Sequence, residues 1–180
     1  MSKAALTRFW VPAPRLLRSG ASFAVLLTVL AACGFTLRGD AETGLKSLYV
    51  SNDAPSQVAA EVKHTLATST TRVVKAASEA EAHLRITAET REKTIFTITG
   101  AGRVYEYQLR LLVTYVVMVP GKETPLIPST EIDIRRVVTY SETAPVAKEA
   151  EEALLYRDMV TEATGQVLRR IAAVRRAGET

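Results

Sequence analysis

Cys33 is the only cysteine of the 180-residue chain and stands directly behind Leu30-Ala31-Ala32. The place of this thiol matters because the residues ahead of it read as an export signal. Lys3, Arg8, Arg15 and Arg18 lie in a segment without acidic residues, an apolar block fills residues 21–32, and two small side chains precede the cysteine. That order, basic then apolar then small, is the layout of a secretory signal. A helix over the block would span about 18 Å at ~1.5 Å per residue, short of the ~30 Å hydrocarbon core of a bilayer, so a membrane-spanning helix is disfavoured. An ordinary buried thiol does not account for the flanking pattern. The other residues able to do chemistry are sparse. His64 sits beside Val62 and Leu66, and His83 opens a strand-like stretch; neither has metal-ligand spacing or a nucleophile nearby in sequence. Gly100-x-Gly102 joins two strand-like segments with no Lys-Ser/Thr after it, unlike a phosphate loop. Glu149, Glu151 and Glu152 read as the solvated start of a helix. No catalytic residue and no metal ligand is assigned, and the chain is expected not to be an enzyme.

Leu30-Ala31-Ala32-Cys33 resembles the lipobox of bacterial lipoproteins, Leu-(Ala/Ser)-(Gly/Ala)-Cys. The resemblance implies a diacylglyceryl thioether on the Cys33 sulfur, cleavage before Cys33, and acylation of the new amino group, with no other cofactor. Gly34 rather than Asp after the cysteine implies sorting to the outer membrane, on its periplasmic side. Cleavage changes the meaning of the composition. The whole chain carries a formal charge of +4, which would suit a nucleic acid or an anionic membrane. Residues 1–32 hold four basic residues and no acid, and their removal leaves nineteen of each sign in residues 33–180, a net charge of zero. Trp10, the only tryptophan, leaves with them. Nucleic-acid binding loses its support. The remainder suits one domain, at a size where about 68–70% of the unfolded surface is buried, with no disulfide despite a compartment that would allow one.

The elements that must position these residues follow from periodicity. Residues 33–44 read as a lipidated tether and 45–180 as the domain. Residues 45–51, centred on Leu48, Tyr49 and Val50, predict a strand; Asn52-Asp53-Ala54-Pro55 is turn chemistry with Pro55 in the first turn of a helix. Val58, Val62 and Leu66 recur at helical spacing over residues 55–68, and Val73-Val74 predict a short edge strand. From residue 82 to 98 a strand begins with Leu84, Ile86 and Ala88 on one face and Arg85 and Thr87 on the other. Gly100-Ala101-Gly102 turns it into the strongest strand, where Tyr105, Tyr107, Leu109, Leu111, Val113, Tyr115 and Val117 alternate. Pro125 and Pro128 are expected to keep their neighbourhood out of the ladder, and Ile132 and Ile134 open a last strand to about Tyr140. A long helix over residues 146–176 presents Ala147, Ala150, Leu154, Ala163, Val167, Ile171 and Val174 on one side. Acids at its start and arginines at its end complement the helix dipole. The expected fold is α+β: a two-layer sandwich with two helices packed on one face of a three- to four-stranded mixed or antiparallel sheet.

Taken in order, several segments resemble the lipopolysaccharide-assembly lipoprotein family LptE, also called rare lipoprotein B. They are Cys33-Gly34-Phe35-Thr36-Leu37-Arg38-Gly39, then Gly102-Arg103-Val104-Tyr105-Glu106-Tyr107-Gln108-Leu109, then Arg135-Arg136 with Tyr140, and Val146-Ala147-Lys148-Glu149-Ala150-Glu151-Glu152. Thr36 replaces a common His and Val146 a common Leu. The resemblance implies a plug within the outer-membrane β-barrel LptD that assists its assembly and binds lipopolysaccharide. A polar, charge-balanced surface suits a barrel lumen. Lys148 matches a lysine for which the family implies lipopolysaccharide contact. The family's second basic contact aligns near Gly100, so that role passes to Arg103. Two other readings remain: an α+β lipoprotein serving as pilot or accessory of another envelope machine (a secretion channel or barrel insertion), and a periplasmic enzyme with an unrecognised site.

Overall fold

The computed structural model describes residues 43–141 and 143–178. The export signal, Cys33 and most of the tether lie outside them. Five strands and two helices follow in the order β1 (Ser47–Asn52), α1 (Gln57–Leu66), β2 (Arg72–Val74), a 3-10 turn (Ala77–Glu79), β3 (Ala82–Ile98), β4 (Val104–Met118), β5 (Ile127–Thr139) and α2 (Pro145–Ala177). They form one mixed sheet ordered β2-β1-β3-β4-β5. β1 runs parallel to both β2 and β3, and β3-β4-β5 is an antiparallel meander. Both helices pack on one face. The α+β sandwich expected from the sequence is therefore present, with five strands rather than three or four, because Val73-Val74 pair fully with β1.

Each element follows from its residues. Ser56 caps α1, its Oγ accepting from the Ala59 amide at 2.9 Å, and Val58, Ala59, Val62 and Leu66 bury one side of the helix. Leu48, Val50, Leu84, Ile86 and the odd positions Leu109–Val117 supply the sheet side of the core. Tyr156, Met159, Ala163, Val167 and Ile171 of α2 close over them. Burying a Leu- or Ile-sized side chain contributes about 1.5–3 kcal/mol relative to exposure, so this seam dominates the stability.

Three departures from simple periodicity mark the sheet and α2. First, Ile86 pairs with Tyr115 but Ala88 with Thr114, which leaves Thr87 as a bulge residue. An extra residue exchanges the two faces of a strand. Ala88 does not continue the face of Leu84 and Ile86 but is exposed, and Glu89, Arg91, Lys93 and Ile95 take the helix side, opposite Val113, Leu111, Leu109 and Tyr107. Second, Ile127 pairs with Val117 and Thr130 with Tyr115, so Pro128 lies within β5 at a register shift of the β4–β5 ladder. A proline is tolerated there because β5 is an edge strand. Third, the start of α2 does not lie on the core: Ala147 and Ala150 are exposed, and Val146 and Leu154 are 77% and 56% exposed. The apolar stripe predicted along the whole helix holds only from Tyr156 onward.

β1 covers β3 only from Ala82 to Ile86, whereas β3 and β4 stay paired out to Ile98 and Val104. The far half of the hairpin forms an arm, with β5 and the start of α2 alongside it.

Candidate functional site

The arm ends in a tight link of residues 99–103. Gly102 takes φ +79°, a left-handed conformation suited to glycine, and its amide donates to the Thr99 carbonyl at 2.9 Å. The Arg103 carbonyl accepts from the Thr99 amide at 2.7 Å, and the Arg103 amide donates to Thr99 Oγ1 at 3.2 Å. Arg103 is thereby presented at the tip, with its residue exposed to solvent.

Lys148 lies in the first turn of α2, where the positive end of the helix dipole disfavours a cation. Two acceptors offset this: Nζ donates to Thr139 Oγ1 at 3.0 Å and to Glu151 Oε2 at 2.8 Å. Thr139 stands opposite Glu106 of β4, three residues beyond Arg103, which is roughly 10 Å along a strand. The fold thus brings Lys148 and Arg103 to one end of the molecule.

The same end carries apolar side chains that the core does not use. Ile95, Phe96, Ile98 and Tyr105 are 59, 52, 62 and 53% exposed, and Val137 and Tyr140 of the neighbouring strand end are also open to solvent. Tyr107 meets Tyr140 edge-on with ring centroids 5.6 Å apart, and the Tyr140 amide donates to the Tyr105 carbonyl at 2.8 Å. Lys93 Nζ sits 4.6 Å from the Tyr107 ring centroid and 2.5 Å from Glu152. The Glu152 hydrogen bond holds the Lys93 ammonium above its ordinary pKa. An open groove of about 510 Å³ runs beside this pair between the arm and α2, with Gln57, Arg91, Tyr156 and Arg157 among its walls. Tyr156 donates to the Glu92 carbonyl at 2.9 Å.

The sheet face away from the helices is polar along its middle. Arg110 forms a two-pronged pair with Asp133, 3.0 Å on each side, and reaches Glu92 at 3.3 Å. Arg135 adds a 2.6 Å contact to Asp133. Hydrogen bonds from Arg110 and then Arg135 hold the Asp133 carboxyl far below the usual carboxylate range. Further along that face, His83 Nε2 lies 2.7 Å from Ser51 Oγ, a partner sequence spacing does not reveal because the two meet across β1 and β3. Partial burial, followed by the nearby Arg85 charge, lowers the His83 pKa. The neighbouring carboxylate, Asp53, is engaged by Arg85 at 2.8 and 2.9 Å rather than by the imidazole it would orient in a nucleophilic triad. His64 is exposed on α1. Among the described residues no group of three His, Cys, Asp or Glu side chains could hold a metal ion, and no helix is long and apolar enough to cross a membrane.

Sequence reasoning pointed to Lys148 and Arg103 but not to the apolar side chains beside them. The run Ile95-Phe96 carries a signal: two adjacent apolar residues in a strand cannot both face one core.

The family model for lipopolysaccharide assembly, LptE, matches residues 45–171. The "LPS-assembly lipoprotein LptE" of Pectobacterium atrosepticum is 27% identical over 155 residues, covering 84% of this chain and 82% of that protein. The protein of the same name from Yersinia enterocolitica is 30% identical over 158 residues, covering 86% and 74%. Among solved structures, lipoprotein B of Nitrosomonas europaea superposes with a TM-score of 0.70 at 31% identity, covering 81% of this chain and 94% of that one. Rare lipoprotein B of Shewanella oneidensis gives 0.65 at 27% identity, covering 74% and 99%. With a family match that spans the whole sandwich and relatives that share its fold, the chain belongs to the LptE family of lipopolysaccharide-assembly lipoproteins.

Proposed function

We propose that this protein is anchored by lipid at Cys33 to the periplasmic side of the outer membrane, sits as a plug in an LptD-type β-barrel, and binds lipopolysaccharide at the arm end of the sandwich. Its role is to bind and to assist assembly, not to catalyse. The observation that carries the reading is the pairing of two cations, Lys148 and Arg103, with an exposed apolar group of Ile95, Phe96, Ile98 and Tyr105 at one end of the fold. An amphiphile with phosphates and acyl chains presents the complementary chemistry. Ammonium and guanidinium groups supply charge-assisted hydrogen bonds to phosphate, and an apolar patch of this kind marks a binding surface rather than random exposure. The polar opposite face, with its ladder Glu92–Arg110–Asp133–Arg135, suits a polar barrel interior.

Lys148→Glu tests the reading. The variant is expected to keep its circular dichroism spectrum and melting temperature within a few degrees while losing roughly tenfold or more in lipopolysaccharide affinity, the order of one charge-assisted contact. Unchanged affinity would remove Lys148 from the site.

A further inference from the structure

The end of the sandwich opposite the arm is where the chain enters the fold, and that point is fixed. Thr43 and Thr71 are buried and share a 2.7 Å hydrogen bond. Thr71 Oγ1 also donates to the Leu45 carbonyl at 3.0 Å, and Thr43 Oγ1 accepts from the Leu45 amide at 3.2 Å. Gly44, at φ +71°, passes beside Arg175 near the end of α2. The starts of β1 and β2 and the ends of both helices gather here: the Arg72 amide donates to the Lys46 carbonyl at 3.0 Å, and Arg175 pairs with Glu81 at 2.6 Å.

Basic side chains outnumber acids at this end. Lys46, Lys63, Arg72, Arg169, Arg170 and Arg176 are all exposed. The acids among the described residues of these elements are Glu61, Glu79 and Glu81, and Glu81 is taken up by Arg175 and by the Lys46 amide at 2.8 Å; Asp40, Glu42 and Glu179 flank them in sequence. Lys122 and Glu123, in the loop between β4 and β5, cancel. The start of α2, at the other end, carries Glu149, Glu151 and Glu152. A chain whose residues 33–180 sum to zero therefore has a basic pole, in the sense of a modest excess of bases, where its tether attaches, and an excess of acids over the rest of the fold.

We infer that this basic pole docks on anionic phospholipid headgroups of the membrane that holds the anchor, and so sets the orientation of the protein before it meets a barrel. The inference rests on the lipid attachment at Cys33 proposed above. Ten peptide links separate Cys33 from Thr43, a reach of at most about 35 Å at ~3.5 Å per residue. The acyl chains thus keep the headgroup plane at high effective concentration around this end of the fold. Lysines and arginines near an anionic leaflet are drawn to it over a Debye length, about 10 Å at moderate salt. Contact at this pole turns the apolar arm away from the bilayer, so that Ile95, Phe96 and Ile98 are presented to a partner or ligand instead of inserting nearby.

The test uses the full lipidated chain in vesicles, without a barrel. Cys33 is the only native cysteine and lipid would block its thiol, so Ala173→Cys at the pole and Ala101→Cys at the arm tip each take a single fluorophore. Emission is quenched by a headgroup-attached acceptor in phosphatidylglycerol-rich and in pure phosphatidylcholine vesicles. Expected is several-fold stronger quenching at position 173 than at 101 on the anionic vesicles. The difference should collapse in high salt, on phosphatidylcholine, and in the double variant Arg169→Gln/Arg170→Gln. Equal quenching at both positions, or a difference indifferent to lipid charge, in protein that still floats with vesicles at high salt would overturn the docking while sparing the anchor. Failure to float at high salt would overturn the anchor and the docking with it.

Discussion

Lys148 Nζ lies 2.8 Å from Glu151 Oε2, one helical turn away, and the ammonium that the ligand site would use is thus already held by a carboxylate of its own helix. Exposed pairs of this kind contribute about 0–1 kcal/mol, so Lys148→Ala should cost less than about 1 kcal/mol in a urea melt. Glu151→Gln removes the competing carboxylate and leaves Thr139 Oγ1 as the lysine's partner. It should tighten lipopolysaccharide binding several-fold, measured by displacement of a fluorescent lipid A probe; weaker binding would show that Glu151 positions the lysine rather than competes for it.

Glu89 is placed on the helix side by the bulge at Thr87 and works as a remote cap. Its Oε2 accepts from Ser56 Oγ at 2.6 Å and from the Val58 amide at 3.0 Å, and its side chain is 6% exposed. A carboxylate at a helix start satisfies otherwise unpaired amides and favours the dipole. Hydrogen bonds to charged groups are worth about 1.5–3 kcal/mol, so Glu89→Ala should lower stability by roughly that amount. A loss below about 0.5 kcal/mol would show that Ser56 alone caps α1.

The Asp133 ladder makes stability depend on acid. Its carboxyl is held low in the folded state by Arg110 and Arg135, and Asp53 is lowered by Arg85. An unfolded Asp titrates near 3.9. As the pH falls past that value the unfolded chain takes up protons first, so the stabilisation is complete above about pH 4 and declines below it toward the folded value. The melting temperature should therefore drop as pH falls below about 4, and Asp133→Asn should flatten that slope. Both carboxylates are open to solvent, so the effect should shrink with added salt. A slope identical in the variant would show that other carboxylates govern the acid limb.

Gly165 lies inside α2, where glycine costs about 0.5–1 kcal/mol relative to alanine. A Cβ there would approach only the Arg169 side chain, its Nη1 at 2.9 Å, the mobile end of a side chain that can move aside. Gly165→Ala should raise the unfolding free energy by about 0.5–1 kcal/mol, read from chemical denaturation. Destabilisation would mean that the folded-back Arg169 is itself structural.

The sandwich was legible because its signals are local: the Val58-Val62-Leu66 spacing marks α1, although the helix starts at Gln57 behind the Ser56 cap rather than at Pro55, and the alternation from Leu109 to Val117 marks β4. The single-residue insertion at Thr87 defeated the simple reading of β3. Nothing in Ile86-Thr87-Ala88 announces that parity changes there; the exchange is set by pairing with β4. The start of α2 misled for a related reason, since Val146 and Leu154 keep helical spacing although the sheet beneath offers them no core. Lys148 and Arg103 could be named from motifs, while Lys93 and Tyr140 could not. Their contacts with Glu152 and Tyr107 join partners 59 and 33 positions apart in sequence.

The proposed function places this protein inside a barrel. Its most direct measurement is affinity purification of the full-length, lipidated chain from outer membranes in mild detergent, followed by quantification of co-purifying proteins. The account predicts an LptD-type β-barrel recovered in one-to-one amount and retained at high salt. Recovery of the lipoprotein without such a barrel, or with a different envelope machine in its place, would contradict it.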